Sequence, residues 1–210
     1  MKNRVELLGY YGSDEVIACS AWTSTSRNLT QDKKARIPKL LDMLWSNGHE
    51  TPFEKAMVHF LVDTDIASHI HLLKHRISSL NAESARYKEL KEDKSYIPED
   101  WPIAWQIKLE EFTSLSNSLY HECLEDLTRT IGRKRAKESA RFFKTYNSQI
   151  QADVSFNMRS FANFQKLRNS EHAQTEIRDI ARVMYDLVSQ IDGNPFRYTL
   201  QAWNNVELIK

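Results

Sequence analysis

The chain has 210 residues, 41% of them hydrophobic, with 29 Lys and Arg against 28 Asp and Glu and a net charge of +1. That size bounds it to one large domain or two small ones, and the near-zero charge argues against sequence-independent binding to nucleic acid or to an anionic membrane surface. There is no apolar run long enough to span a bilayer and no leader-like pattern, and Cys19 and Cys123 have no metal-ligand spacing, so the expectation is a cytoplasmic protein without a membrane or nucleic-acid partner.

Val5, Leu7, Leu8 and Tyr10 predict a short strand over 4–11. Asp14 is placed to cap a helix running to about Trp22. Residues 24–34 are polar and loop-like, and Ile37, Leu40, Leu41, Leu44 and Trp45 recur at helical spacing until a stop at Gly48. His49–Glu54 reads as a turn, and 56–62 (AMVHFLV) as a buried strand. Asp65 caps the next helix, whose apolar stripe is Ile66, Ile70, Leu73 and Ile77; 79 to about 102 reads as irregular. A long helix over about 103–130 carries Phe112, Leu115, Leu119 and Leu127 on one face. A second helix is predicted over about 134–146, a strand over 150–156 and a helix over 158–168. Ile177, Ile180, Ala181, Met184, Leu187, Val188 and Ile191 form the clearest amphipathic pattern, and Pro195 opens a last short helix. With no repeat and no Gly-, Ser- or Pro-rich linker, the expectation is one α+β domain over 1–210, mostly helical with a small antiparallel sheet.

Glycine is scarce. Gly9, Gly12, Gly48, Gly132 and Gly193 build neither a GxGxxG turn nor a Walker loop, so any phosphate must be held by side chains. Two blocks supply them. The first, Lys74 to Tyr87, packs cations, amides, hydroxyls and a carboxylate into fourteen residues; the second, Asn157 to His172, has the same character. On a helix from about 158, Arg159, Asn163 and Lys166 fall on related faces. Arginine forks suit phosphates and the polar edge of a pyrimidine, and asparagine supplies the donor and acceptor a base edge requires. A nucleotide is the ligand this chemistry fits.

Other candidates carry less. His71 and His75 are spaced i, i+4, half of a zinc motif, but Leu72 follows His71 where Glu would stand and no third ligand is indicated; no metal is expected. Arg133, Lys134, Arg135, Lys137 and Lys144 read as a solvated basic face. Arg141, beside Phe142 and Phe143, is expected to be partly buried and partnered. His121, Glu122 and Cys123 point in different directions on a helix and make no nucleophilic site.

Lys74-His75-Arg76, seven residues, then Ser84 resembles the Arg-His-Arg, seven residues, Ser signature of the flavin-dependent thymidylate synthases, within a longer pattern ending in Arg-Tyr as Arg86-Tyr87 does here. Gly48-His49-Glu50-Thr51-Pro52-Phe53-Glu54 is similar to the family's early turn, and Asn157-x-Arg159-Ser160-x-x-Asn163-Phe164-x-x-Leu167-Arg168 to its late helix. Ser170-x-His172-Ala173-Gln174 and Tyr96-Ile97-Pro98 stand in the family's order. The resemblance covers about residues 35–190.

It implies an α+β homotetramer with active sites at subunit interfaces. Such an enzyme is a methyltransferase that makes dTMP from dUMP, with FAD as cofactor and with NADPH and methylenetetrahydrofolate as co-substrates. It assigns FAD contacts to Thr51, His75, Arg76, Ser79, Asn157, Arg159, Asn163, Leu167 and His172. The nucleotide contacts fall on His71, Lys74, Ser84, Ala85, Arg86, Arg141 and Arg168, with Arg168 also catalytic: it would stabilise charge developing on the pyrimidine. Three positions depart from the pattern. Lys74 replaces the first Arg, His71 replaces a Gln, and Ala82 holds the place of a Glu, with Glu83 next to it and counted with the cofactor set. They leave open a flavin-dependent methylase or hydroxymethylase of another pyrimidine nucleotide monophosphate (dCMP or UMP), or a non-catalytic flavin- or nucleotide-binding homologue.

Overall fold

Strand alternation and helix caps set most of the element boundaries in the computed structural model, which describes residues 1–206; residues 207–210 of the expected domain lie outside the described residues. Strand β1 is Arg4–Tyr11 and helix α1 is Asp14–Ala21. The cap of α1 is Ser13, whose Oγ accepts from Val16 N at 3.4 Å, not Asp14 as expected. Helix α2, Gln31–Ser46, starts inside the segment read as a loop because Thr30 caps it, accepting from Lys33 N at 3.3 Å. Strand β2 is Met57–Asp65 and helix α3 is Ile66–Leu73, capped as expected by Asp65, whose Oδ1 accepts from Ser68 N at 2.8 Å. Helix α3 stops at Leu73, so Ile77, 72% exposed, is not part of its stripe.

The segment read as irregular contains strand β3, Ser79–Ala82. Its composition carries little strand signal, and the neighbouring strand makes it a strand. Helix α4 is Ile103–Ile131; α5, Arg133–Ala140, gives way to a 3₁₀ turn over Arg141–Phe143 instead of reaching 146. Strand β4 is Gln149–Asn157, followed by α6 (Met158–Arg168), α7 (Thr175–Ser189) and α8 (Arg197–Asn205). The four strands form an antiparallel sheet in the order β1-β2-β4-β3. The fold class is the α+β class expected. Among the described residues no helix is long and apolar enough to cross a membrane.

The chain divides into two compact units. One comprises Val5–Leu61, Lys74–Leu80 and the chain from Asp153 onward. Its core is aromatic: Phe53, Phe60, Phe156, Phe161, Phe164 and Trp203 are fully or almost fully buried, with ring centroids 5.1 Å apart for Trp45–Phe53 and 5.2 Å for Phe156–Phe164. Each such ring contributes about 2–3 kcal/mol of hydrophobic stabilisation. The predicted face of α7 (Ile177, Ile180, Ala181, Met184, Val188) is buried, and the buried Gln165 ties α6 to it, its amide nitrogen donating to Ala181 O at 2.9 Å. Asp14 has a different task from the one expected. Its buried carboxylate accepts from Tyr198 N (2.7 Å), Thr199 N (3.0 Å) and Thr199 Oγ1 (2.7 Å), capping the first turn of α8.

The other unit comprises Met1–Arg4, Val62–Leu73 and Asn81–Ala152. Here α4 packs along α5 around buried Tyr120, Leu124, Ala136 and Ala140, with Leu90, Cys123 and Leu127 against them. The face expected to be apolar and inward is not the packed one. Phe112 and Leu115 are 60% and 58% exposed, and the buried residues of that stretch are Thr113, Ser116 and Tyr120. The buried polar groups are satisfied locally, Thr113 Oγ1 donating to Leu109 O at 2.7 Å. Lys144 also departs from expectation. Its side chain is 4% exposed; Nζ donates to Asp93 Oδ1 and Asn117 Oδ1, both at 2.7 Å, and lies 4.4 Å from the Tyr120 ring centre.

Candidate ligand-binding clusters

Helix α6 owes its position to Asn157 at the end of β4. The Asn157 Oδ1 accepts from Ser160 N at 2.8 Å, and Met158 N donates to Ala56 O at 2.9 Å. From that start the helical period puts Ser160, Asn163 and Leu167 on one face, and they line a cavity of about 630 Å³. The wall opposite in sequence is Lys74-His75-Arg76-Ile77, and Glu50, Arg159 and Arg168 complete it. Two blocks more than eighty residues apart in the sequence thus line the same cavity. Four cations and one carboxylate surround it, with Ile77 and Leu167 as apolar contacts, a wall suited to a phosphate-bearing ligand with a flat ring.

Two of these cations differ in freedom. Arg159 is clamped: Nε donates to Glu50 Oε2 at 2.8 Å and Nη1 to Glu54 Oε1 at 2.7 Å, bonds that hold its guanidinium in the charged form, the Glu54 bond most strongly. Arg168, at the end of α6, donates through Nε to His75 Nε2 at 3.1 Å. His75 is buried and meets the Phe164 ring edge-on at 4.9 Å.

Lys74, His75, Arg76, Arg159, Asn163, Leu167 and Arg168 therefore meet in this cavity. Asn157 caps the helix that carries four of them. Thr51, which opens the 3₁₀ turn Thr51–Lys55, Ser79 in β3 and the exposed His172 do not line it. The sequence reading missed Glu50, Ser160 and Ile77. Glu50 had a signal, a carboxylate in the turn block matched to an arginine in the helix block.

A second cluster lies within the other unit, at the end of β3. Ser84 Oγ accepts from Arg86 N at 3.3 Å, and Ser84 O accepts from Tyr87 N and Lys88 N at 3.0 and 2.9 Å, so Ser84-Ala85-Arg86 form a tight turn. Arg86 Nε donates to Glu138 Oε1 at 2.6 Å, and Arg141 Nε to Glu138 O at 3.1 Å. The Arg86 hydrogen bond chiefly holds the Glu138 carboxyl below its ordinary range. Arg141 is exposed, contrary to expectation, because the chain leaves α5 in a 3₁₀ turn that turns its side chain outward with Phe142. Glu83 is occupied: its carboxylate pairs with Lys88 and accepts from Gln151 N at 3.4 Å. His71 sits half-buried on α3. The expected basic face is also paired, Arg133 with Glu89 at 2.5 Å and Arg135 with Glu138 at 3.4 Å, while Lys137 Nζ donates to Tyr87 O at 2.7 Å. These contacts fasten the segment after β3 to α5.

Neither Cys19 in α1 nor Cys123 in α4 lines the cavity, and both are free. Among the described residues no three His, Cys, Asp or Glu side chains group to hold a metal ion.

The chain is similar to known proteins over most of its length. The family model described as thymidylate synthase complementing protein matches residues 6–192. The flavin-dependent thymidylate synthase of Pseudothermotoga lettingae is 30% identical over 191 residues, covering 89% of this chain and 85% of its own. That of Thermotoga neapolitana is 31% identical over 185 residues, covering 86% and 82%. Among solved structures, the UMP/dUMP methylase PolB from Streptomyces cacaoi bound with 5-Br dUMP superposes with a TM-score of 0.80 at 24% identity, covering 97% of this chain and 95% of its own; that likeness bears on the fold.

Proposed function

Because the chain belongs to the flavin-dependent thymidylate synthase family, we propose that it methylates dUMP reductively to dTMP, with FAD as its flavin, methylenetetrahydrofolate as carbon donor and NADPH as reductant. The observation that carries this reading is the cavity in which Lys74–Ile77 and Arg159–Arg168 meet. Its residues fit a flavin: cations for a pyrophosphate, Asn163 for a ring edge, and Ile77 and Leu167 for a flat apolar face. Bound there, a reduced flavin supplies the hydride equivalent that a cysteine-free route to thymidylate needs.

The chain's own residues have the remaining tasks. Carbon 5 of uracil is a weak nucleophile, and neither cysteine lines the cavity to activate it by addition. Arg168 holds the pyrimidine and stabilises negative charge developing on it, while Lys74 provides a point charge beside it. His75, Arg76 and Asn163 hold the cofactor with Thr51, Ser79, Arg159, Leu167 and His172. Ser84, Ala85 and Arg86, with Arg141 bonded to the same Glu138, bind the nucleotide phosphate, and His71 is a further nucleotide contact. The single-domain reading over 1–210 and a cytoplasmic setting, favoured by two free thiols, belong to the same proposal. So does a homotetramer with shared sites. Its support is the stripe Phe112, Leu115 and Leu119 on α4, which one copy leaves 60%, 58% and 36% exposed.

The test is direct. The purified protein should be yellow, with a flavin absorption spectrum, and should oxidise NADPH in a dUMP-dependent way with dTMP as product. A colourless protein that takes up no FAD overturns the reading. Lys74, His71 and Ala82, where the family has Arg, Gln and Glu, favour a second reading in which the base is another pyrimidine. Parallel assays with dUMP, dCMP and UMP and mass analysis of the products separate the two.

A further inference from the structure

We propose that His75 is a positioning residue for Arg168, aiming the guanidinium through a hydrogen bond that only the neutral imidazole, protonated on Nδ1, can accept. The inference rests on the proposed function for its catalytic consequence, but its structural core stands on geometry alone. Arg168 Nε–H points at His75 Nε2 across 3.1 Å. An arginine has five donors and no acceptor, so the imidazole nitrogen must present its lone pair. The ring proton is then on Nδ1, and the ring is neutral. Among the described residues neither terminal NH2 group of Arg168 has a hydrogen-bond partner, and Arg168 lines the cavity. One edge of the fork is therefore fixed and the other is left for a ligand. Two parallel donors on a fixed plane suit the carbonyl edge of a pyrimidine better than a freely rotating cation does.

The imidazole is itself held. His75 is 8% exposed, and its ring meets Phe164 edge-on at 4.9 Å; Phe164 is fully buried one turn before Arg168 on α6. The side chain that accepts from Arg168 is thus braced by the helix that carries Arg168. Lysine at 168 could still donate to an imidazole, but its ammonium has no planar fork, so anchoring one donor would not fix a parallel pair toward a ligand. Protonation of His75 would put an N–H where the lone pair is and add a second cation against the guanidinium. Among the described residues, the other charged groups lining the cavity are Lys74 and Arg76 on either side of His75, Arg159 on α6, and Glu50, which is engaged by Arg159. Acidification therefore releases Arg168 from its anchor.

Two measurements test this on the full-length FAD-loaded protein. The first is nitrogen-15 NMR of the histidine-labelled enzyme at pH 7.5, with His75 assigned by its loss in His75→Gln. An unprotonated Nε2 with a protonated Nδ1 is expected, and a protonated Nε2 overturns the proposal whatever the enzyme's activity. The second compares pH profiles of kcat and KM for the nucleotide in the wild type, His75→Gln and His75→Ala. The Gln amide oxygen can accept from Arg168 and does not titrate. His75→Ala, saturated with FAD and normalised to bound flavin because His75 also lines the cofactor cavity, should lower kcat about 10- to 100-fold, the scale of a misplaced reacting group. His75→Gln should recover part of that loss and abolish the acid-side fall in kcat. A role confined to packing or to holding the cofactor would leave the pH profile of the FAD-loaded enzyme the same in all three proteins. An acid limb in His75→Gln like that of the wild type refutes the proposal. A wild type with the expected tautomer but no nucleotide-dependent NADPH oxidation would instead refute the proposed function and leave the Arg168–His75 geometry standing.

Discussion

Replacing Lys144 by Met keeps the aliphatic stem in its buried place and removes only the ammonium group. That group makes two 2.7 Å bonds, to Asp93 and Asn117, with its side chain 4% exposed and the Asp93 side chain 35% exposed. Breaking a buried ion pair costs about 3–5 kcal/mol. Asp93 reaches water and keeps its 2.9 Å contact with His121, which discounts the loss to about 2–3 kcal/mol. At about 2–4 °C per kcal/mol for a chain of this size, the melting temperature should fall by roughly 5–10 °C. Circular dichroism melts of Lys144→Met, Asp93→Asn and the double variant measure it, and the pair should be coupled by at least about 1 kcal/mol. A drop below about 2 °C, or strictly additive effects, would refute the assignment of Lys144 as the pin of the segment after β3.

A pH arm sharpens the same test. Burial pushes the Asp93 carboxyl up, but hydrogen bonds from Lys144 and then His121 outweigh it and hold the group below its ordinary value of 3.8. A carboxyl depressed in the folded state stabilises above its unfolded value, and that stability is lost as pH falls through the folded value. The difference between wild type and Lys144→Met should be full at pH 6 and shrink below pH 3.8.

Arg168→Ala should lower turnover by about 10²–10³-fold, the scale of a lost donor to developing charge, while FAD affinity measured by fluorescence changes far less; equal activity would defeat the assignment. Lys74→Arg should tighten dUMP binding by about 1 kcal/mol, roughly fivefold in Kd by titration calorimetry, if the missing fork matters. Asp14→Ala should cost about 2–4 kcal/mol in urea unfolding, because two N–H groups of the first turn of α8 lose their acceptor. Phe112→Asp combined with Leu115→Asp should shift the sedimenting species to a smaller one if the α4 stripe is an interface.

Helix α6 was legible to the residue, because β4 ends in a residue able to cap and the helix carries apolar residues at helical spacing (Met158, Phe161, Ala162) that are buried. Strand β3 and the inward face of α4 were not legible. Four residues of low strand propensity become a strand only beside a partner. On α4, polar Thr113 and Ser116 are buried because backbone carbonyls satisfy them, while larger apolar residues stay outside. The caps show the same division. Thr30 caps the helix next to it, a local signal passed over when 24–34 was read as a loop, whereas Asp14 serves α8, some 185 residues on.

For the candidate ligand-binding groups, the sequence determined the chemistry on offer: scarce glycine, two blocks of cations and amides, and a matching order of motifs. Residue type and spacing are properties of the chain itself, and helical period alone puts Arg159 and Asn163 on related faces. Tertiary structure decided which groups are available. Arg159 is clamped by Glu50 and Glu54, Glu83 by Lys88, and Asn157 by its own helix, while Arg168 is anchored on one edge and open on the other. A hydrogen bond depends on where two atoms far apart in the chain come to rest, and nothing in residue type or spacing fixes that before the chain folds.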